Sequence, residues 1–544
     1  MDIKKHNVDF SSAGQLAPQD MAQLAELGFR SVINNRPDGE ADGQPTWQEL
    51  EVAAKQAGLS YHYLPVVPNQ MTPELIQQFA DLYRQVDHPT LAFCRTGNRS
   101  TQIWEASQRL TNGIPAQAST TEDQQPKKHS QIVIVGGGAA GIATAASLLK
   151  RDRDFDITII EPRDTHYYQP GWTFVGSGVF KPAATRRPME QVMPSGVEWI
   201  QDAVTGFEPD KNTVQITSGV KISYDVLVVA PGLKLDWQQV KGLEETLGEN
   251  GVASNYDIKT AQKMWEKTQS LTKGRAVFTQ PPMPIKCAGA PQKAMYLASD
   301  YWQKHNRLGN IQVEFYNAGK VLFGVPDYVP ALQNYVAQYH INLHFSHNLV
   351  EVDGPAKKAW FANSETNENI EVAYDLLHVS PPQTAPDFIR DSSLVNAEGW
   401  VEVDQYSLRH TRFSNIFSLG DVCAAPNAKT AAAVRKQAPV VAHNIHALLN
   451  NLDTTAYYDG YGSCPLIVER GKVVLAEFGY GGKLLPSAPV WLLDGKKPTR
   501  LGWLLKAKLL PSIYFDLMLR GHEWLAKPTI QNTQTDLATT EKGA

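Results

Sequence analysis

The stretch IVIVGGGAAGIATAASLL, residues 132–149, decides the fold of this chain. An apolar strand pattern leads directly into Gly136, Gly138 and Gly141, a G-x-G-x-x-G motif, and small residues at helical spacing follow it. The first glycine permits a tight turn, the second lets the backbone approach a pyrophosphate, and the third lets helix and strand pack closely. The phosphate would lie on the helix N-terminus. The stretch therefore predicts a Rossmann-like dinucleotide site, with a glycine-rich turn that binds nothing as the alternative.

An acid at the end of the next strand and two later strand ends favour FAD as the dinucleotide. FDITIIEP carries Glu161 about 20 residues past Gly141, where a carboxylate can bind a ribose hydroxyl. YDVLVVAPGLK (224–234) ends in a small-Pro-Gly turn, and FSNIFSLGDVCAAP (413–426) ends in Gly420-Asp421. The second stretch resembles the Gly-Asp motif of two-dinucleotide flavoproteins, whose Asp contacts the ribityl chain.

Composition excludes several classes of protein. The 544 residues suggest roughly three to four domains, and a net charge of −5 gives no basic field for nucleic acid. The N-terminus shows no secretory signal, and no run of about 18 apolar residues predicts a membrane span. The four cysteines occur singly, without a C-x-x-C pair, which argues against a disulfide framework and a zinc site. We expect a reducing cytoplasm and no bound metal.

A proline-rich loop stands where a second nucleotide loop is expected. The strand Ala276-Val277-Phe278 is followed by TQPPMPIKCAGAPQ, residues 279–292. Proline removes the backbone N–H donors that cradle a pyrophosphate. We therefore expect that NAD(P)H is not bound in the usual way and that electrons enter from a smaller donor.

Two thiols stand at the ends of predicted strands. Cys287 precedes a predicted helix and lies beside Lys286 and Lys293 in the sequence, which favours a thiolate. Cys423 follows Asp421 by two residues, and carboxyl ends of strands share the ligand-binding edge of an α/β sheet. The two thiols are therefore predicted to bracket the flavin, and two unrelated buried cysteines are the alternative.

Long motifs in order resemble the sulfide:quinone oxidoreductase family, in its two-cysteine, mitochondrial-like branch. They are HYYQPGWTFVGSG (166–178), PIKCAGAPQK (284–293), FGVPDY (323–328), SLGDVCAAP with KTAAAVRKQ, and YGSCPLIVERGKVVLAEF (461–478), and the resemblance covers about residues 131–527. It implies that sulfide is oxidised through Cys287 and Cys423, with attack at Cys423, and that Lys293 lies near the thiols. Reduced FAD would pass electrons to quinone, and sulfane sulfur would leave to a small acceptor such as glutathione or sulfite. Cys464 is interpreted as structural.

The same resemblance implies a set of residues around FAD. They are Gly136, Gly138, Ala139, Ala140, Gly141, Glu161, Gln169, Val204, Gly232, Gly420, Asp421, Lys429 and Thr430.

The C-terminal stretch 501–527 is apolar with scattered bases. Pro511 is predicted to split it into two short amphipathic pieces that lie on a membrane surface, with Lys506, Lys508 and Arg520 near lipid phosphates. The residues assigned to the membrane or to quinone are Trp503, Leu505, Leu509, Tyr514, Phe515 and Leu519. We expect a peripheral protein on the cytoplasmic face of the inner membrane, with a homodimer allowed. The alternative is a core-packing helix pair.

The N-terminal module carries a third candidate site. FCRTGNRST spaces Cys94 and Arg99 by four residues, and such a loop can form an anion nest around a nucleophilic thiolate. Residues 3–112, including SVINNRPDGE, resemble the phosphatase-like domain of beta-lactamase-hydrolase-like proteins, although the four-residue spacing is of the rhodanese type. The resemblance implies sulfur transfer through Cys94. A phosphatase-like regulatory module, with Asp38 as general acid, is the alternative.

The predicted fold class is α/β, with five segments. These are a phosphatase-like or sulfurtransferase domain (1–112), a linker (113–130), tandem Rossmann-like FAD domains (131–450), a C-terminal strand and amphipathic-helix region that associates with membranes (451–530) and a disordered tail (531–544). A relative of the NADH:quinone dehydrogenases is a competing interpretation, as is a disulfide or persulfide reductase with a rhodanese appendage. Both would need the missing second glycine loop.

Overall fold

The computed structural model describes residues 3–41, 43–67, 72–95, 97–111 and 128–532. The chain divides into two compact units, Met1–Asp123 and Gln124–Ala544. Most of the expected linker, 113–130, lies outside the described residues, and Lys128 already begins a strand. Of the expected tail, residues 531 and 532 end a strand and the remainder lies outside the described residues.

The first unit is a five-stranded sheet with helices on both faces. Its strands are β1 (Ile3–Lys5), β2 (Phe10–Ala13), β3 (Ser31–Asn34), β4 (Ser60–Tyr63) and β5 (Thr90–Phe93), and its helices are α1 (Asp20–Glu26), α2 (Trp47–Gln56), α3 (Pro73–Gln85) and α4 (Asn98–Thr111). The strand order is β1-β2-β5-β3-β4, and only β1 is antiparallel to its neighbour. Buried apolar residues cover both faces, as a parallel sheet requires. Cys94 follows β5 at the carboxyl edge of this sheet.

The second unit holds the other strands of the described chain. They are β6 (Lys128–Val135), β7 (Ile157–Ile160), β8 (Thr165–Tyr167), β9 (Arg186–Pro188), β10 (Val197–Ile200), β11 (Val204–Glu208), β12 (Thr213–Ile216), β13 (Lys221–Val229), β14 (Lys234–Leu235), β15 (Val252–Ala253), β16 (Gly274–Gln280), β17 (Ile311–Asn317), β18 (Asn342–Phe345), β19 (His347–Asp353), β20 (Lys358–Asn363), β21 (Asn369–Ala373), β22 (Leu376–His378), β23 (Gln383–Thr384), β24 (Ile416–Ser418), β25 (Thr454–Tyr457), β26 (Gly462–Glu469), β27 (Lys472–Phe478) and β28 (Thr529–Asn532).

Its α-helices follow the same order. They are α5 (Ala139–Arg151), α6 (Trp172–Val175), α7 (Met189–Val192), α8 (Leu243–Thr246), α9 (Ile258–Ser270), α10 (Ala290–Lys304), α11 (Val329–Gln338), α12 (Asp387–Arg390), α13 (Ala431–Leu449), α14 (Arg500–Leu504) and α15 (Leu510–Ser512).

Two sheets of this unit are the tandem Rossmann-like layers that the sequence predicted. In the first, the order is β10-β7-β6-β13-β12-β11, with β24 parallel to β13, and helices α5 and α13 pack together beside it. In the second, the order is β15-β22-β16-β17-β18, and all pairs are parallel. Both sheets direct their carboxyl edges to loops, where ligands of α/β proteins bind.

The C-terminal region adds a hairpin and a helical wall. Strands β26 and β27 pair antiparallel, and β26 packs on α10. The residues from Arg500 to Arg520 form one helical run, with π-helical turns at Leu505–Leu509 and Ile513–Leu517. Pro511 therefore does not split the stretch, which corrects the prediction: it lies between the two π-helical turns, inside the helical run. Within the described residues, no helix has both the length and the apolar character needed to cross a bilayer.

Candidate active site

One cavity of about 460 Å³ collects most of the predicted site residues of the second unit. Its wall combines the glycine loop before α5, the turn after β13, the N-termini of α10 and α13, and the C-terminal helical run. The predicted residues that line it are Gly138, Ala139, Ala140, Glu161, Gln169, Gly232, Cys287, Lys293, Gly420, Asp421, Lys429, Thr430, Leu505, Leu509 and Tyr514.

The glycine loop leaves room for a pyrophosphate. Gly136 has φ of +104°, and a Cβ there would lie 2.5 Å from the carbonyl oxygen of Ala230. A Cβ on Gly141 would lie 1.9 Å from the carbonyl oxygen of Gly136. A Cβ on Gly138 would meet no atom within 4 Å, and no side chain caps the helix that begins there. The N-terminus of α5 thus faces open space with free N–H groups, which is a site for an anion.

Glu161 stands beside this loop with a fixed carboxylate. It accepts hydrogen bonds from the backbone N–H groups of Gly137, at 2.8 Å, and Arg163, at 3.0 Å. The carboxylate is buried in the cavity wall. It is held where it can accept a hydrogen bond from a ribose.

The cavity wall also carries an acid and a lysine beside the first turn of α5. Lys429 Nζ donates to the carbonyl oxygens of Asp421, at 2.6 Å, and Cys423, at 3.1 Å. Burial raises the pKa of Asp421, and the charges of Lys429 and Lys286 oppose that rise. Thr430 caps α13 by accepting from the N–H of Ala433.

These groups fit FAD: an open glycine cradle, a helix N-terminus and two acids, Glu161 and Asp421, on the wall of the cavity. Val204 departs from the expected set. It lies in β11, buried in the core beside Val133 and Tyr224, and it does not line the cavity. A motif can mark a strand, but it cannot tell which face of the strand meets a ligand.

Two thiols meet at the loop before α10. Cys287 Sγ lies 3.8 Å from Cys464 Sγ, and Lys293 Nζ donates to Cys287 Sγ at 3.0 Å. Cys287 adopts φ of +50°, a conformation that non-glycine residues rarely hold without a reason. Its N–H donates to the carbonyl of Lys429, and its own carbonyl accepts from Ala290, so both sides of the strained residue are fixed.

The sulfur in contact with Cys287 belongs to a cysteine that the sequence analysis did not place at the site. Cys464 was interpreted as structural, but β26 packs on α10 and brings its thiol against Cys287. Cys423 is buried in the core around α13 and does not line the cavity, and burial raises the pKa of its thiol. The structure thus brings Cys464 into contact with Cys287, and the expected Cys287–Cys423 redox pair stays a prediction. The one signal in the sequence was that Cys464 lies in the family-like stretch 461–478.

The groups around the two sulfur atoms favour a negative charge on Cys287 over one on Cys464. A hydrogen bond with Cys464 and the charge of Lys293 hold the pKa of Cys287 well below its ordinary value, although burial opposes them. The same hydrogen bond, together with burial, raises the pKa of Cys464. The negative charge is therefore favoured on Cys287, the sulfur to which Lys293 donates.

Two further lysines surround this pair, and the sequence analysis missed the role of one. Lys506, expected near lipid phosphates, is buried in the cavity wall and donates to the carbonyl of Pro170 at 3.1 Å. Burial, with the nearby charge of Lys293, lowers the pKa of Lys506 to about 7. Lys286 Nζ donates to Gln169 Oε1 at 2.6 Å, and desolvation lowers its pKa to about 8.

Most of the predicted membrane residues face the protein. Tyr514 is buried, and its hydroxyl lies 2.7 Å from His166 Nε2. Leu519 is also buried, whereas Trp503, Leu505 and Phe515 are partly buried, and only Leu509 is half-exposed. The exposed large apolar residues of this region are Val490, Trp491, Leu492, Leu501, Leu504, Leu509, Trp524 and Leu525. The helical run thus covers the cavity with one face, and the assignment of these residues to the membrane or to quinone stays a prediction.

In the first unit, Arg99 joins a charged cluster beside Cys94. Its two terminal nitrogens donate to Glu40 at 2.7 and 2.8 Å, and Arg36 Nε donates to the same carboxylate at 3.0 Å. The hydrogen bond with Glu40 raises the pKa of Arg99, and the neighbouring Cys94 adds to that rise. Cys94 is buried at the end of β5.

Asp38 has a local structural role. Its carboxylate accepts from the backbone N–H of Trp47, the first residue of α2. It therefore serves the turn before the helix, which is the common role of a loop Asp.

Two protein-family models match different parts of the chain. Residues 2–111 match the beta-lactamase hydrolase-like protein, phosphatase-like domain, and residues 130–444 match the pyridine nucleotide-disulphide oxidoreductase family. The mitochondrial sulfide:quinone oxidoreductase of Dictyostelium discoideum is 39% identical over 79% of this chain and 95% of its own. The beta-lactamase hydrolase-like protein of Xylella fastidiosa (strain Temecula1) is 32% identical over 20% of this chain and 25% of its own. The solved sulfide:quinone oxidoreductase of Aquifex aeolicus has a TM-score of 0.62 at 21% identity, over 74% of this chain and 97% of that one, which supports the fold.

Proposed function

Because this chain belongs to the sulfide:quinone oxidoreductase family, we propose that it oxidises hydrosulfide at Cys287 and Cys464 and delivers the electrons to a membrane quinone. It is an FAD-dependent oxidoreductase, as its family match implies. The single observation that carries the proposed pair is the 3.8 Å contact between the two sulfur atoms, with Lys293 at 3.0 Å from one of them. When bound, FAD takes up the two electrons released at this pair and passes them on to quinone.

The distance suits an oxidised bridge. A disulfide bond is about 2.05 Å long, and two such bonds in series span up to about 4.1 Å. Because divalent sulfur is bent, a bridge with one intervening sulfur atom spans less than this limit, so the 3.8 Å gap closes to such a bridge, or to a direct disulfide, after a movement of the two side chains. Hydrosulfide attacks at the sulfur of Cys464, and the bond to Cys287 breaks.

The ammonium group of Lys293, 3.0 Å from Cys287 Sγ, favours this direction of attack because it stabilises the thiolate that leaves. The thiol of lower pKa is the better leaving group in thiol–disulfide exchange, and that thiol is Cys287. The products are a persulfide on Cys464 and a thiolate on Cys287, which Lys293 stabilises. A small nucleophilic acceptor then removes the outer sulfur of the persulfide and leaves both cysteines reduced. When the bond between them re-forms, two electrons are released for the next half of the reaction.

The test separates the two candidate partners of Cys287. Purified protein is mixed with sulfide without oxygen, and the flavin absorbance is followed before and after a short-chain quinone is added. We expect bleaching and recovery in the parent, their loss in Cys287→Ser and Cys464→Ser, and their retention in Cys423→Ser. Loss in Cys423→Ser with retention in Cys464→Ser would restore the pair expected from the sequence. Bleaching by NADH with no response to sulfide would favour the dehydrogenase alternative.

We further propose that the protein is peripheral to a membrane, on the cytoplasmic face of the inner membrane. The exposed apolar residues gather on the 490–492 loop and on the outer side of the helical run, and Trp491 is 85% exposed. An exposed patch of this kind marks an interaction surface, and a membrane is where quinone is found. Flotation with liposomes tests this proposal: Trp491→Asp should reduce the bound fraction, whereas Leu452→Asp, an exposed apolar residue elsewhere, should not.

For the first unit, we propose transfer of sulfane sulfur through Cys94. Arg99 gives both terminal nitrogens to Glu40, so the cationic group that a phosphate dianion needs is already neutralised. A sulfane sulfur atom has no such requirement. A persulfide donor with cyanide and p-nitrophenyl phosphate are compared as substrates for the parent and Cys94→Ser. Thiocyanate formation lost in the variant is expected, and phosphate-ester hydrolysis lost in the variant would favour the regulatory phosphatase.

A further inference from the structure

A buried carboxylate stands on the cavity wall, and the thiol chemistry does not use it. Glu477 lies near the end of β27, is buried and lines the cavity. In the hairpin, Glu477 pairs with Ser463 and Leu475 pairs with Pro465, and all four line the cavity. Because side chains alternate along a strand, Cys464 lies on the opposite face, where it meets Cys287.

A chain of hydrogen bonds leads from Glu477 to the surface. The hydroxyl of Tyr461 donates to Glu477 Oε1 at 2.5 Å, and Ser487 Oγ lies 3.1 Å from the Tyr461 hydroxyl. Ser487 is exposed, and its backbone N–H donates to Glu477 Oε2 at 3.1 Å. Since Tyr461 donates to the carboxylate, its oxygen accepts from Ser487. The hydrogen bonds from Ser487 to Tyr461 and from Tyr461 to Glu477 thus form a path for protons from solvent to the cavity.

Apolar surfaces surround the inner end of this chain. The apolar residues that share the cavity are Pro465, Leu475, Leu493, Leu505, Leu509, Leu510, Ile513 and Met518. A quinone ring and its tail suit such a wall, and its two carbonyl groups need polar partners, as ligands of largely apolar pockets generally do. Glu477 supplies a carboxyl group at this wall.

We propose that Glu477 is a catalytic residue of quinone reduction, which delivers protons to the bound quinone. This inference rests on the proposed function. Reduction of a quinone to a hydroquinone consumes two electrons, which the sulfide half of the reaction supplies, and two protons. In each transfer the O–H bond of Glu477 breaks and an O–H bond forms on quinone. The carboxylate then regains its proton from solvent through Tyr461 and Ser487.

Charged and titratable groups around Glu477 suit a relay. Arg435 and Lys436 of α13 lie close enough to interact with its charge, and Lys436 Nζ lies 5.6 Å from the ring of Tyr461. These cations stabilise the carboxylate between transfers. Tyr328 holds the backbone of Glu477 with two hydrogen bonds of 3.0 Å, so the strand is fixed whichever form the side chain takes.

The test measures the two halves of the reaction separately. Parent, Glu477→Gln and Glu477→Asp are reduced with sulfide without oxygen, and their reoxidation by a short-chain quinone is followed by stopped flow. Ferricyanide, which takes up electrons without protons, is the matched acceptor. We expect sulfide to reduce all three at similar rates and quinone to reoxidise Glu477→Gln about 100-fold more slowly, in the range of general acid catalysis. Ferricyanide should reoxidise the parent and both variants at similar rates. Glu477→Asp should be reoxidised by quinone faster than Glu477→Gln, because it keeps a carboxyl group.

Further readouts separate proton delivery from a structural role. The quinone Kd, measured by quenching of tryptophan fluorescence, should be unchanged in Glu477→Gln. Tyr461→Phe should slow the quinone reaction and raise its solvent deuterium isotope effect, because proton supply then limits the rate. Quinone reoxidation of Glu477→Gln at the parental rate, or equal slowing with ferricyanide, would overturn the inference.

A further arm uses protein reduced with dithionite. If sulfide fails to reduce the parent, the proposed function fails, and the dithionite arm still decides the role of Glu477. If dithionite-reduced parent is not reoxidised by quinone, the inference about Glu477 fails.

Discussion

Replacement of Lys293 should raise the pKa of Cys287 and so reduce the fraction of thiolate at neutral pH. The ammonium group lies 3.0 Å from the sulfur, and a unit charge at that distance is worth about 5 kcal/mol at an effective dielectric constant of about 20. Loss of this attraction destabilises the thiolate, so the pKa of Cys287 rises. The hydrogen bond from Cys464 and the charge of Lys506 persist, so we expect the pKa of Cys287 in Lys293→Gln to rise only part of the way toward its ordinary value.

The assay follows alkylation of the reduced protein by iodoacetamide across a pH series. Mass spectrometry of the Cys287 peptide separates this residue from the buried Cys94 and Cys423. The midpoint of the rate profile reports the pKa of Cys287. Lys508→Gln, which removes an exposed lysine from the helical run, is the matched control and should keep the parental midpoint. Equal midpoints in Lys293→Gln and the control would refute the electrostatic argument.

Three further predictions concern the cofactor site and the surroundings of the thiols. Gly138→Ala should keep the parental melting temperature but lose FAD on desalting, because its methyl group would occupy the open cradle. Gly141→Ala should instead lower the melting temperature, because its methyl group would lie 1.9 Å from a backbone oxygen. Gly289→Ala should slow flavin reduction by sulfide, since the new Cβ would lie 2.5 Å from Cys464 Sγ and displace it, while FAD content stays at the parental level. Lys506→Met should stabilise the protein below neutral pH. The pKa of Lys506 is lowered to about 7, so its burial cost, up to about 5 kcal/mol, is fully present below pH 7 and fades as pH rises toward the unfolded-state pKa. Thermal melts that show no larger gain at low pH than at high pH would contradict this assignment.

The features that could be predicted from the sequence are those that depend on residues close together in the chain. The α/β fold class, the family and the use of FAD are confirmed, because a strand, a glycine turn and a helix are adjacent in the chain and carry their own signature. The proline-rich loop with Cys287 was recognisable for the same reason. Each of these features depends on residues within about one βαβ unit.

The partner of Cys287 depends on packing between distant segments. Cys464 lies 177 residues beyond Cys287, and nothing in the stretch 461–478 states that its hairpin packs on α10. Cys423, two residues after Asp421, was the nearer candidate by local reasoning. The same limit affected Lys506: an amphipathic pattern shows that one face is apolar, but it does not show whether that face covers a protein cavity or a lipid surface.

The β26–β27 hairpin connects the two halves of the chemistry while keeping them apart. Cys464 faces Cys287 from one side of the strand, and Ser463 and Glu477 face the cavity from the other. A substitution on one face should therefore affect one half-reaction. Effects of substitutions at separate, non-contacting sites are expected to add as free energies, so Gly289→Ala combined with Glu477→Gln should slow sulfide reduction by the first factor and quinone reoxidation by the second. A combined variant in which either half-reaction falls well below its single-variant rate would show that the hairpin moves as a body and couples the two sites.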